Sequence, residues 1–341
     1  MRQTELPLHR PHVLIARAVF PEAIARLSEH FEVEPNPDDA EWSAVELSRR
    51  LGGKIGLLAT SGERIDAALL AAHPHLRAVC LMTVGYNNVD VPACTARGVL
   101  ATNAPGVLTE TTADLGFALM MATARRMAEA ERFLRNGQWT KWRYDLLTGS
   151  DVHGATLGIL GMGRIGQAIA RRGALGFGMK VIYHNRSRLG AADEAPIGAR
   201  YVDKATLLRE SDHLVLVLPY SASSHHAIAA AELAMMKPTA TLTNVARGGI
   251  VDDAALAVAL RERRIAAAGL DVFENEPTPN PALLELPNVV LLPHIGSATE
   301  ATRRAMVGCA VDNLVAALTG GTPPTPINPE VLRGPRWANR A

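Results

Sequence analysis

Three polar residues stand in segments that suit them for joint chemistry. Arg247 lies in Asn244-Val245-Ala246-Arg247-Gly248-Gly249-Ile250-Val251-Asp252, and Glu276 closes Gly269-Leu270-Asp271-Val272-Phe273-Glu274-Asn275-Glu276-Pro277. His294 follows an apolar run in Val289-Val290-Leu291-Leu292-Pro293-His294-Ile295-Gly296-Ser297. A guanidinium offers a rigid fork of donors that binds a carboxylate and polarises a carbonyl. An imidazole is the side chain best poised to deliver a proton near neutral pH. A carboxylate on its other ring nitrogen fixes the tautomer and favours the imidazolium. Given a hydride donor, these are the parts that reduce an α-keto acid. Singly, each also has a structural use: an ion-pair partner, a helix cap, a satisfied core histidine. All three, however, fall at or near the ends of expected parallel strands, where ligands of such sheets bind.

The hydride donor has its own signature upstream. Gly161-Met162-Gly163-Arg164-Ile165-Gly166 follows the apolar strand Leu157–Leu160, opens a helix, and precedes a second strand that ends about 20 residues on. Gly161 permits the tight turn, Gly163 lets the backbone approach a pyrophosphate, and Gly166 allows close helix–strand packing. The helix N-terminus beginning at Arg164 and Ile165 supplies free N–H groups to the phosphates. The second strand ends in Tyr183-His184-Asn185-Arg186-Ser187-Arg188, with no acid to hold a ribose hydroxyl. Asn185 lacks the charge that would repel a 2′-phosphate, and Arg186 and Arg188, flanking Ser187, can pair with one. NADP(H) is therefore the preferred cofactor on this reading, with NAD(H) also possible. Asp271, at a strand end, is placed near the nicotinamide, and Pro219, Ala246 and Gly296 complete the expected cofactor contacts.

The elements that must position these residues alternate. Strands are expected over His12–Ala16, Ile55–Ala59 and Ala78–Leu81, with a helix over Glu22–His30, and this spacing argues for βαβ units and a parallel sheet. Turn residues Thr102-Asn103-Ala104-Pro105-Gly106 mark a crossing, followed by one long helix over Thr109–Leu134, capped by Thr109 or Thr111. A second βαβ series runs from Thr156, with strands at Leu157–Leu160, Val181–His184, His213–Leu218, Thr241–Asn244, Ala266–Leu270 and Val289–Leu292 and a helix over Ile165–Ala174. Their apolar runs suit burial on both faces. His225-His226 reads as a helix start. A helix over Thr299–Leu318 ends at Gly320-Gly321, and the proline-rich tail from Thr322 reads as an irregular strap. The expected architecture is α/β, with two Rossmann-like, doubly wound parallel sheets. Residues 1–104 and 299–341 form a discontinuous, flavodoxin-like substrate domain enclosing a dinucleotide domain over 105–298.

Bulk properties exclude other classes. The 341 residues carry a net charge of +1 with 48% hydrophobic residues, a length that fits two domains. The arginine pairs are scattered, so no basic tract invites nucleic acid or an anionic membrane. No apolar run approaches the ~20 residues of a membrane span, and Met1–Pro11 lacks a signal-peptide core. Cys80, Cys94 and Cys309 lie too far apart in sequence to suggest a metal or disulfide pattern, which suits a reducing cytoplasm. His73-Pro74-His75 reads as a surface turn because nothing nearby completes a ligand set. His153 receives no role.

On these motifs the chain resembles the D-isomer-specific 2-hydroxyacid dehydrogenase family, and within it the glyoxylate/hydroxypyruvate and 2-ketogluconate reductases. The likeness spans nearly the whole sequence, from Val84-Gly85-Tyr86-Asn87-Asn88-Val89-Asp90 to Pro293-His294-Ile295-Gly296-Ser297-Ala298-Thr299. It implies that Arg247 binds substrate, Glu276 supports the histidine and His294 is the acid/base. It further implies that Val84 and Gly85 offer backbone N–H groups to the substrate carboxylate. The helix from Thr109 and the segment carrying Trp139 and Trp142 resemble the family's dimer-forming region. One tryptophan, with Trp142 favoured, is expected in the partner subunit's active site, against simple interface packing. The expected activity is reduction of glyoxylate, hydroxypyruvate or 2-keto-D-gluconate to D-2-hydroxy acids by a homodimer. Two alternatives share the motifs: an NAD-dependent phosphoglycerate dehydrogenase, many of which carry an added regulatory domain, and a dinucleotide-sensing corepressor. Formate dehydrogenases resemble the chain less, having glutamine where Glu276 stands.

Overall fold

The computed structural model describes residues 10–338; most of the polar stretch Met1–Pro11 and the last three residues of the strap lie outside the described residues. The chain divides after Leu108 and after Ala298 into two compact units, one of them made of the first and last segments.

The discontinuous unit is built on five parallel strands: β1 (His12–Ile15), β2 (Glu32–Glu34), β3 (Gly56–Ala59), β4 (Ala78–Leu81) and β5 (Leu100–Thr102). They lie in the order β2-β1-β3-β4-β5, the flavodoxin-like winding. Successive residues face opposite cores, as the pleat requires. Val13 and Ile15 pack with Val311 and Leu314 of the helix Glu300–Leu318, while Leu14 and Ala16 pack with Leu47 and Leu70 on the other face. Thr299 caps that late helix by accepting from the Thr302 N–H. The strap ends in two 3-10 turns, Pro329–Arg333 and Pro335–Trp337, and buries Trp337, whose Nε1 donates to the Gly98 carbonyl at 2.9 Å.

The continuous unit holds seven parallel strands: β6 (Thr156–Leu160), β7 (Lys180–His184), β8 (Arg200–Tyr201), β9 (His213–Leu216), β10 (Thr241–Asn244), β11 (Ala267–Leu270) and β12 (Val289–Leu291). Their order, β12-β11-β10-β9-β6-β7-β8, is the doubly wound Rossmann arrangement expected from sequence. The switch point falls between β6 and β9, so the turns after them open at one crevice. Leu157, Ile159 and Val215 pack on one face with Phe117 and Met120, and Leu160, Leu214 and Leu216 on the other with Leu233 and Leu256.

Two local expectations fail. The long helix is two helices, Thr109–Ala124 and Met127–Arg135, because Arg126 turns into the left-handed region at φ +53°. Its guanidinium holds Glu129 and reaches the Thr148 carbonyl, and these contacts stabilise the break. His225-His226 does not start a helix either. The next helix is Ala230–Met235, and the segment before it forms turns with His226 at φ +49°.

Candidate active site

Five turns at the carboxyl ends of the seven-stranded sheet build the site. The first, after β6, carries the glycines. Gly161 sits at φ +104°, and a Cβ there would lie 2.6 Å from the Leu218 nitrogen. A Cβ on Gly166 would meet the Gly161 carbonyl oxygen at 2.3 Å, so turn and helix touch with no room for a side chain. Gly163 differs: nothing lies within 4 Å of its Cβ position, leaving an open approach to the first turn of the helix Arg164–Arg171. That helix has no side-chain cap on its N-terminal N–H groups. The cradle fits the pyrophosphate of a dinucleotide.

Asn185, at the end of β7, does more than remove a charge. Its Oδ1 accepts from the Met162 N–H at 2.6 Å, tying the ribose-side loop to the glycine turn. Sequence reasoning missed this brace because only the strand pairing brings positions 162 and 185 together. The two arginines also separate. Arg188 grips Glu194 through Nε at 2.9 Å and a terminal nitrogen at 2.7 Å. That pairing and the Tyr183 hydroxyl hold the Glu194 carboxyl at about 2. Arg186 has no ion-pair or hydrogen-bond partner among the described residues.

Arg247 follows β10. One terminal nitrogen donates to its own neighbour, the Ala246 carbonyl, at 2.7 Å, whereas its Nε is buried with no hydrogen-bond partner among the described residues. Burial lowers the guanidinium from its usual range, opposed by the nearby Glu276 charge, but an arginine remains charged at any physiological pH. Gly248 explains how it is held: a Cβ there would lie 1.6 Å from the Phe273 carbonyl oxygen, so the turn after β10 is pressed against the turn after β11.

Glu276 and His294 come from the turns after β11 and β12. Glu276 Oε1 accepts from the Phe273 N–H at 2.9 Å, and Oε2 lies 2.7 Å from His294 Nδ1. Burial pushes the Glu276 carboxyl up, but the His294 contact, the Phe273 N–H and Arg247 together bring it below its usual value. The carboxylate is thus an anion throughout the neutral range. His294 sits at φ +52°, a left-handed conformation that persists in bulky residues where the surroundings over-determine it. Asp271 supplies part of that restraint, its two oxygens accepting from Ile295 N–H at 2.7 Å and Gly296 N–H at 2.8 Å. With Glu276 on Nδ1, His294 Nε2 is left to meet a ligand. Both residues line a cavity of about 260 Å³ walled by Phe273, Pro277, Leu292 and Pro293. A larger cleft, about 830 Å³, opens among Thr156, Lys180 and Arg200 at the amino ends of β6, β7 and β8, away from the end where such sheets bind ligands.

Val84 and Gly85 belong to the other unit. Both carbonyls are pinned, by Asn103 Nδ2 at 2.7 Å and the Thr83 hydroxyl at 2.9 Å, while their N–H groups have no partner among the described residues. Trp142 is 65% exposed and packs edge-on against Tyr144. His153 lines a shallow pocket beside Asp212 and His213 and gains no role.

Known proteins resemble the chain over nearly its whole length. The profile described as D-isomer specific 2-hydroxyacid dehydrogenase, NAD binding domain, matches residues 117–296. The glyoxylate reductase of Thermococcus onnurineus is 47% identical over 327 residues, covering 95% of this chain and 97% of that protein. The glyoxylate/hydroxypyruvate reductase B of Klebsiella pneumoniae is 46% identical over 94% of this chain and 99% of its own length. Among solved structures, the NADPH-dependent glyoxylate/hydroxypyruvate reductase of Sinorhizobium meliloti, in complex with NADP and malonate, superposes with a TM-score of 0.83. It is 38% identical, over 93% of this chain and 97% of that one.

Proposed function

The chain belongs to the D-isomer-specific 2-hydroxyacid dehydrogenase family, and on that premise we propose that it is an NADPH-preferring reductase of small 2-keto acids. Its substrates are glyoxylate, hydroxypyruvate and 2-keto-D-gluconate, and its products are D-2-hydroxy acids. The observation that carries this reading is the buried, unpartnered Nε of Arg247 beside the Glu276–His294 pair. An unsatisfied buried donor is costly, and a keto acid's carboxylate and carbonyl oxygens supply the missing acceptor.

Arg247 binds the carboxylate and draws electron density from the carbonyl. His294 holds a proton on Nε2 and delivers it to the carbonyl oxygen as alkoxide character develops. Glu276 fixes the ring through Nδ1, which leaves Nε2 to the substrate. The bound nicotinamide supplies the hydride. The glycine turn and the helix from Arg164 would hold its phosphates, and Asp271, which orients the segment around Gly296, would keep lone pairs for the carboxamide. The N–H groups of Val84 and Gly85 are a further carboxylate-binding element.

NADPH preference is supported by Asn185 and by the unpaired Arg186, the arginine free to meet a 2′-phosphate. The S. meliloti reductase, described as NADPH-dependent, is consistent with it. A homodimer is supported by a run of exposed apolar side chains, Met127, Leu134, Trp139, Trp142 and Tyr144, on one helix and the arm that follows. Cys80, Cys94 and Cys309 are free thiols, which suits a reducing compartment. No helix among the described residues is long and apolar enough to cross a membrane.

The test is oxidation of NADPH and NADH, in parallel, with glyoxylate, hydroxypyruvate, 2-ketogluconate and 3-phosphohydroxypyruvate. Fast NADPH consumption with one of the first three supports the proposal. NADH-dependent turnover of the phosphorylated acid alone, or cofactor binding without turnover, overturns it.

A further inference from the structure

Three turns that follow the neighbouring strands β9, β10 and β11 meet at His226. Its backbone N–H donates to the Gly249 carbonyl at 2.7 Å, and Asp252 N–H donates to the Ile228 carbonyl at 2.9 Å. The segment after β9 thereby runs beside the chain that continues from Arg247, with a parallel bridge between Ile228 and Val251. The imidazole reaches the third turn: Nε2 lies 2.5 Å from Glu274 Oε1, two residues before Glu276. Nδ1 lies 3.9 Å from Asp252 Oδ2. Glu274 is fixed from behind, its N–H donating to Asp253 Oδ2 at 3.1 Å. His226 therefore joins the turn of Arg247 to the turn of Glu276, holding a left-handed backbone at φ +49° to do so.

We propose that His226 is a positioning residue: by bridging Glu274 and Asp252 it holds Arg247 and Glu276 at the separation that the reaction needs. The proposal rests on the reductase reading above. A bound cation is the competing occupant, since His226, Asp252 and Glu274 each offer an atom within 4.8 Å of the others. The 2.5 Å contact is that of a direct hydrogen bond, because an ion between nitrogen and oxygen needs about 2 Å to each and would drive them apart.

The groups facing the ring are Glu274, Asp252 and Asp253, with His225 stacked on it at 3.9 Å. The Glu274 hydrogen bond outweighs burial and raises the imidazole above its ordinary value. The charged bridge is accordingly present below the ordinary imidazole value and is lost as pH rises through the raised one.

His226→Ala, Glu274→Ala and the double variant test the proposal by kcat/KM for glyoxylate. Each single variant should lose roughly tenfold or more, since small displacements of reacting groups have effects of that order. The double variant should lose no more than the worse single, because the two residues act as one unit. His226→Gln donates to Glu274 at every pH; it should recover most of the loss and remove the part of the alkaline decline that belongs to His226. Amide exchange at positions 226, 252 and 274, followed without substrate, should quicken in His226→Ala and return in His226→Gln. Additive single losses, no recovery by glutamine, or unchanged exchange would each overturn the proposal. Zinc ion added alone that protects wild type against unfolding but not His226→Ala would replace it with a metal site. If wild type reduces no keto acid, the reductase reading falls, while the exchange measurement still decides whether His226 joins the turns.

Discussion

Arg247 keeps a buried Nε donor without a hydrogen-bond partner among the described residues, and a bound keto acid would offset that cost in the proposed function. Arg247→Lys retains charge but loses the fork, so KM for the keto acid should rise by about tenfold to a hundredfold, with cofactor affinity unchanged; steady-state kinetics and NADPH fluorescence titration separate the two. His294→Asn removes the proposed proton carrier. Turnover should fall by about 10²–10⁴ while NADPH still binds, and a variant that keeps wild-type kcat rejects the assignment. The cofactor-side arginines divide their roles, since Glu194 occupies Arg188. Arg186→Ala should raise KM for NADPH much more than for NADH. Arg188→Ala should raise it less, with a lower Tm from the stranded Glu194. Equal effects of Arg186→Ala on both cofactors would reject the 2′-phosphate contact.

Elements position these residues through contacts that local sequence describes unevenly. Strands β4 and β10 coincide with their expected ranges, Ala78–Leu81 and Thr241–Asn244, because short apolar runs between turn residues are a local signal. The break at Arg126 was not legible, since the residues around it favour helix and the turn depends on Glu129 and on Thr148, 22 residues away. Gly248 is an element-scale device, letting the turns of β10 and β11 touch. Gly248→Ala should force them apart, destabilising by about 1–3 kcal/mol or more and lowering kcat/KM with it. Thermal unfolding and kinetics on the same preparation check both, and an unchanged Tm would show that the turns need not touch.

At the scale of the molecule, Asp253 gives stability a pH dependence with a known sign. It is 4% exposed. Burial, with the neighbouring Glu274 and Asp252 charges, raises its carboxyl from 3.8 to about 6 against the opposing Glu274 N–H. A group raised in the folded state stabilises below its unfolded value and loses that contribution as pH rises through the folded one. Between about pH 4 and 6, wild type should lose up to roughly 3 kcal/mol relative to Asp253→Asn, read from urea unfolding at both ends; a constant difference would remove the assignment. Self-association makes a second prediction at this scale. Leu134→Asp with Trp139→Asp should convert the expected dimer to monomer in sedimentation velocity, while a monomeric wild type would reject the dimer outright.

The α/β class, the parallel winding, the glycine turn after β6 and the three polar residues of the candidate site were legible in the sequence. Strand runs, glycine sterics and the position of a polar residue just past a strand are short-range properties, and each motif carried them within a few residues. Tertiary structure alone decided which partners these residues meet. Glu276 reaches His294 across 18 residues, Asn185 reaches Met162 across 23, and His226 reaches Glu274 across 48. Those meetings depend on strand order, which brings together the turns after β6 and β7 and those after β9, β10, β11 and β12. The same order leaves Arg186 free while Glu194 takes Arg188. No local pattern encodes such choices, because partner selection is a property of the assembled sheet.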